Sequence, residues 1–193
     1  MFKIFPKLKR DNGGASLVEF SLLLPVLLLI TIALVEMCFV LFQFNAAQKA
    51  TQIGAQFAST RDPVVTGLSD CGVNTNATAG TDCKDVAGSS TWSVTCNGGA
   101  GGGNCNATTM NEIFTKMQAV YPQVKLSNLR VEFSGTGLGF VGRGKPVPAI
   151  TVTLENLTYD YIALGQLLGL QSNSIILTKA RTTVIAEDLR DGV

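Results

Sequence analysis

Four cysteines, Cys71, Cys83, Cys96 and Cys105, lie in one stretch rich in Gly, Ser, Thr, Asn and Asp, and a fifth, Cys38, lies in an apolar run nearer the N-terminus. Two chemistries use four cysteines so placed: a pair of disulfides in an oxidising compartment, or a zinc site built from thiolates. No Cys-x-x-Cys pair occurs, so disulfides are expected and no metal. Four cysteines allow three connectivities. Cys71–Cys83 with Cys96–Cys105 is favoured because short loops close easily, each bridge adding about 2–4 kcal/mol. The chain has no histidine, which removes Ser-His-Asp and Cys-His catalysis and histidine-ligated metal. Asp70, Asp82, Asp85, Glu132, Glu155 and Asp160 show no spacing that sets two carboxylates in a catalytic geometry. An enzyme is not expected, nor a cofactor.

Glycine-rich motifs point the same way. Gly137-Leu138-Gly139-Phe140-Val141-Gly142 fits a dinucleotide fingerprint, and Gly139 to Lys145 nearly spells a phosphate loop. The first needs a helix to open after it, but Pro146 and Pro148 follow. The second needs Ser or Thr where Pro146 stands. Both read as a turn between strands.

These residues must be held by something, and the strongest element is an anchor. Of 193 residues 46% are apolar and 15% charged. From Phe20 to Val35 the sequence is apolar and uncharged, and past Glu36 it resumes as far as Phe44. A bilayer core of about 30 Å needs roughly 20 helical residues, so a membrane span takes in Glu19, Glu36 or both near its ends. A carboxylate at mid-membrane is costly, which places Glu36 near the outer interface. Lys3, Lys7, Lys9 and Arg10, opposed by Asp11, precede the span and keep the N-terminus cytoplasmic. A cleaved signal peptide needs small residues after the apolar region, and Glu36-Met37-Cys38-Phe39 has none. The expected setting is a membrane, with the lipid bilayer as a partner and the C-terminal bulk on the side away from the cytoplasm. A net charge of +1 speaks against nucleic acid.

At the start of this anchor stands Gly13-Gly14-Ala15-Ser16-Leu17-Val18-Glu19-Phe20. A basic leader ends in glycine, uncharged residues run to a glutamate, and an aromatic residue opens the apolar helix. This resembles the processing site of type IV pilin-like precursors in the short-leader form of the Tad system. The wider stretch, with Leu23-Leu24-Pro25-Val26-Leu27, the late Glu36 and the Ala-rich continuation to Ser59, resembles the TadE-like (TadE/TadG) pseudopilins of the Tad/Flp type IVb pilus. The resemblance implies cleavage between Gly14 and Ala15 by a prepilin peptidase, with Glu19 as fifth residue of the mature chain. A small residue gives the protease access to extended backbone. The freed ammonium of one subunit then meets the Glu19 carboxylate of a neighbour, because a buried unpaired carboxylate is penalised. Glu19, Phe20, Pro25 and Glu36 are the residues expected to matter for assembly and register. Pro25 removes one helical hydrogen bond and favours a local bend.

The helix is expected to run past the membrane, with Ala46, Ala50, Ile53, Gly54 and Phe57 on one face, and to end near Asp62 and Pro63. Beyond it, helical spacing predicts a helix over Asn111–Val120. Strands are expected over Leu129–Phe133, Ala149–Leu157 and Ile175–Ala186, with a short helix or turn over Tyr161–Leu170. The expected fold class is α+β: a long N-terminal transmembrane helix followed by a small, disulfide-containing, pilin-like domain with an antiparallel sheet. The expected divisions are a basic leader (1–14), the transmembrane and extended helix (15–60), a Gly/Asn/Cys-rich loop region (61–109) and an α+β periplasmic domain (110–193). The resemblance implies a minor pseudopilin-like subunit in pilus initiation or a tip complex. Its implied partners are a prepilin peptidase, other Tad minor pseudopilins (TadF- or TadG-like) and the Tad inner-membrane platform. The alternative is a permanently anchored adhesin or pilus accessory protein that is not processed.

Overall fold

The computed structural model describes residues 13–66, 68, 71, 77–99, 105–142, 147–167, 169, 174–186 and 189. Residues 1–12 of the basic leader, Asp70, residues 100–103 of the Gly98–Gly103 run, and Gly144, Lys145 and Pro146 of the phosphate-loop-like motif lie outside these residues. The chain is α+β. It divides into two compact units, Met1–Leu41 with Asp160–Ser174, and Phe42–Tyr159 with Ile175–Val193.

One helix, α1 (Gly13–Ala58), contributes to both units. In the second unit its face is built from small residues: Ala47, Ala50, Thr51, Gly54, Ala55 and Ala58 are buried. This face is turned from the one expected. Ala50 and Gly54 are shared, whereas Ala46, Ile53 and Phe57 are half-buried at its flank. Small side chains allow close approach: a Cβ at Gly54 would lie 2.6 Å from Met117 Sδ. Arg61 and Lys116 stand 4.8 and 5.8 Å from the centre of the Phe57 ring.

The sheet of this unit has four antiparallel strands in the order β1 (Ser93–Asn97), β2 (Leu129–Ser134), β3 (Ala149–Leu154) and β6 (Ala180–Ile185). Its register pairs Cys96 with Val131, Val131 with Val152, and Val152 with Thr182. Side chains alternate across a strand, so these residues share one face with Phe133 and Ile150. The Thr51 and Thr182 hydroxyls meet at 2.8 Å on that face, which is therefore the one that α1 covers. The other face carries Arg130, Glu132, Thr151 and Thr183, with the last two hydroxyls 2.9 Å apart.

Local chemistry moved several boundaries. Helix α2 (Ala107–Gln118) begins earlier than Asn111 because Asn106 caps it, its Oδ1 accepting from Thr108 N at 3.0 Å and Thr109 N at 3.4 Å. Its apolar side buries Met110, Ile113 and Met117. The expected strand over Ile175–Ala186 is two strands in different sheets. β5 (Ser174–Ile176) pairs with β4 (Thr158–Asp160), and β6 starts only at Ala180. Between them Leu177 turns inward, its N–H donating to Leu157 O at 2.7 Å. The expected short helix or turn over Tyr161–Leu170 is the four-residue helix α3 (Leu164–Leu167).

Residues 61–109, read as loop, contribute strand β1. Cys71–Cys83 and Cys96–Cys105 are disulfides, with Cα atoms 5.5 and 5.9 Å apart. The first lies in a small cluster of its own with Val86 and Val141. The second links β1 to the residue before the α2 cap. Trp92 Nε1 donates to Cys71 O at 3.1 Å. A side chain at Gly135 has no room beside it, since a Cβ would lie 2.5 Å from Trp92 Nε1. The glycine-rich motif is a loop between β2 and β3, with Gly137, Gly139 and Gly142 at positive φ. No helix opens after it among the described residues.

Candidate membrane and assembly site

The first half of α1 is apolar and outward-facing. Leu17, Phe20, Leu23, Leu27, Ile30 and Leu34 are all more than half exposed. The helix over Ser16–Ala58 is long and apolar enough to cross a membrane, and 6% of its most apolar window is buried in the protein. A core helix would bury that window, so this surface is suited to lipid. Its hydroxyls fit the same solvent, because an unmet polar group in hydrocarbon costs several kcal/mol. Ser21 Oγ donates to Val18 O and Thr31 Oγ1 to Leu28 O, each at 2.8 Å. Pro25 lies inside the helix without ending it.

Gly14, Glu19 and Phe20 are exposed on this helix. A Cβ at Gly14 would meet nothing within 4 Å. Ala15 lies in the same helical turn. The Gly13–Gly14 pair disfavours helix by about 1 kcal/mol per residue relative to alanine, and a helix end also carries unsatisfied N–H groups. Extended backbone at this point is therefore inexpensive to reach.

Glu36 differs from the other candidates. It is 3% exposed, although its helical neighbours Val35 and Met37 are 54% and 55% exposed. The segment Asp160–Ser174 belongs to the same compact unit as this part of α1, and within it the backbone N–H of Ala163 donates to Glu36 Oε1. The groove around the carboxylate is lined by Thr31, Ile32, Val35, Phe39 and Ile162. Sequence reasoning set Glu36 near an interface but missed its partner. The signal for that partner was the uncharged stretch after Asp160, where Tyr161-Ile162-Ala163-Leu164 follows a strand without a polar turn.

The remaining candidates do not converge on this site. All four bridged cysteines belong to the second unit, while Cys38 is free and exposed on α1. Among the described residues no group of three or more His, Cys, Asp or Glu side chains is placed to hold a metal ion. A polar cleft by the α2 cap, lined by Arg61, Asp62, Asn106 and Glu112, mixes both charge signs.

Residues 14–56 match the TadE-like protein family. The TadE-like segment begins at Gly14 and lies wholly within α1, so the likeness rests on the helix and extends to none of the sheet. It connects the chain with the Tad pilus system. No curated protein and no solved structure matches the chain.

Proposed function

We propose that the chain is a minor pseudopilin-like subunit of a Tad/Flp pilus, cut by a prepilin peptidase between Gly14 and Ala15. The observation that carries this reading is that the TadE-like match starts at Gly14, at the head of an exposed apolar helix. The peptidase takes the opened Gly13–Gly14 turn at the cytoplasmic face. The new ammonium at Ala15 lies about one helical turn from Glu19, whose exposed carboxylate is available to a neighbouring subunit. The α1 surface holds the protein in the inner membrane before assembly and packs against other helices in the filament. The disulfide-bonded unit lies in the periplasm, or outside the cell on the pilus. Other Tad minor pseudopilins and the inner-membrane platform are its partners in initiation or in a tip complex, a structural role rather than a catalytic one.

Intact mass and N-terminal sequencing of the membrane-extracted protein, with and without the peptidase, test the reading. The expected result is a peptidase-dependent terminus at Ala15, abolished by Gly14→Val or Glu19→Ala. A Met1 terminus in both samples would make the chain an anchored, unprocessed pilus accessory or adhesin.

A further inference from the structure

We propose that Ile162 and Leu167 enter the membrane interface at the C-terminal end of the α1 span, giving this protein a lipid contact separate from its helix. The proposal rests on the reading of α1 as a membrane anchor. Ile162 is 63% and Leu167 58% exposed, although both belong to the same compact unit as the apolar part of α1. The Glu36–Ala163 hydrogen bond fixes their height along the helix. A helix rises 1.5 Å per residue, so about twenty residues cross a bilayer core. A span entering at Leu17 thus leaves it at Glu36, and the loop tied to Glu36 lies at that boundary.

The chemistry of the loop suits an interface. From Tyr161 to Thr178 the sequence has no charge, with Asp160 and Lys179 closing the two ends. The four-residue helix α3 leaves backbone N–H and C=O groups without helical partners. Such groups are not tolerated in hydrocarbon but are hydrated among headgroups, where apolar side chains still reach the acyl boundary. Lipid is the occupant because Ile162 lines one groove with Val35 and Phe39 of the anchor, residues on the anchor's own lipid-facing helix. Leu34, Val35 and Met37, beside Glu36, are 62%, 54% and 55% exposed.

The test uses the full chain with Cys38→Ser, reconstituted in phosphatidylcholine vesicles, with a nitroxide at Ile162→Cys or Leu167→Cys. Controls carry the label at Leu27→Cys, in mid-span, or at Leu138→Cys, in the glycine-rich loop. Power saturation compares access to molecular oxygen, which concentrates in lipid, with access to a water-soluble nickel chelate. The expected result is a severalfold higher oxygen-to-nickel ratio at Ile162 and Leu167 than at Leu138, approaching but not reaching that at Leu27. Free access of nickel at both positions, with Leu27 protected, would overturn the inference and leave the anchor intact. Protection from both reagents would assign the patch to a protein partner and also overturn it. Nickel access at Leu27 would remove the anchor reading itself.

Discussion

Glu36 Oε1 accepts the backbone N–H of Ala163, joining two residues 127 positions apart in the chain. The bond ties the apolar helix to the loop before β5, so the loop's order should depend on one side chain. A hydrogen bond contributes about 0.5–3 kcal/mol, most when one partner is charged. Glu36→Leu should therefore speed amide exchange in the 161–167 peptide roughly 3- to 100-fold, measured by mass spectrometry on the reconstituted protein. Glu36→Gln retains an acceptor oxygen and should show a smaller rise. Equal exchange in wild type and Glu36→Leu would show that the bond does not hold the loop.

The two disulfides close short loops, of sequence separation 12 and 9. In the chain-entropy description each stabilises by roughly 3 kcal/mol. Their surroundings differ. Cys96 and Cys83 are both fully buried, but Cys96 lies on β1 of the main sheet and Cys83 in a small cluster with Val86 and Val141. Cys71→Ser/Cys83→Ser should loosen that cluster and raise proteolysis near Val86 while the sheet persists. Cys96→Ser/Cys105→Ser should lower the global midpoint in urea. Identical proteolysis and urea profiles for the two variants would contradict the difference.

Gly54 leaves space that Met117 fills. A Cβ there would meet Met117 Sδ at 2.6 Å and Cγ at 2.9 Å, and Met117 is fully buried. Gly54→Val should destabilise the sheet-bearing unit by about 1–3 kcal/mol through overpacking. Adding Met117→Ala should recover part of that loss, giving a non-additive double-mutant cycle in chemical denaturation. Strict additivity would show that the two positions do not share the space.

Lys179 Nζ donates to Glu155 Oε1 at 2.8 Å, and this bond is the main cause holding the Glu155 carboxyl below its usual range. The folded value is the lower one. The stabilisation is therefore fully present above the unfolded value of about 4.3 and is lost as pH falls through the folded value. The Lys179 side chain is largely exposed, so the contribution should stay within about 1 kcal/mol. Lys179→Ala should lose less stability than wild type between about pH 5 and pH 3, with parallel curves above pH 6. An unchanged acid limb would show that the pair contributes nothing.

Elements with strong local signals were legible in the sequence. The alternation of Ile150, Val152 and Leu154 with Thr151 and Thr153 marks β3, because a sheet face repeats every second residue. The apolar run from Phe20 marks the helix, and the short cysteine loops favoured the two bridges that the structure holds. Strand β1 was missed because Ser93–Asn97 carries only one fully buried residue, Cys96, and is ordered by its ladder with β2. The break between β5 and β6 was equally hidden. Leu177 and Lys179 suit a strand locally, and only their partners Leu157 and Glu155 turn the chain there.

Length, charge and hydropathy act along the chain, so the residues alone specify an apolar helix of membrane-spanning length that follows the Gly13–Gly14 pair and takes in Glu19, Glu36 or both near its ends. Tertiary structure alone decided which face of α1 is buried and what Glu36 touches. The Thr51 and Thr182 hydroxyls, and the Glu36 carboxylate and Ala163 amide, meet only when distant segments are brought together. Short-range hydrogen bonding and close packing then select one partner among many that the sequence leaves equivalent.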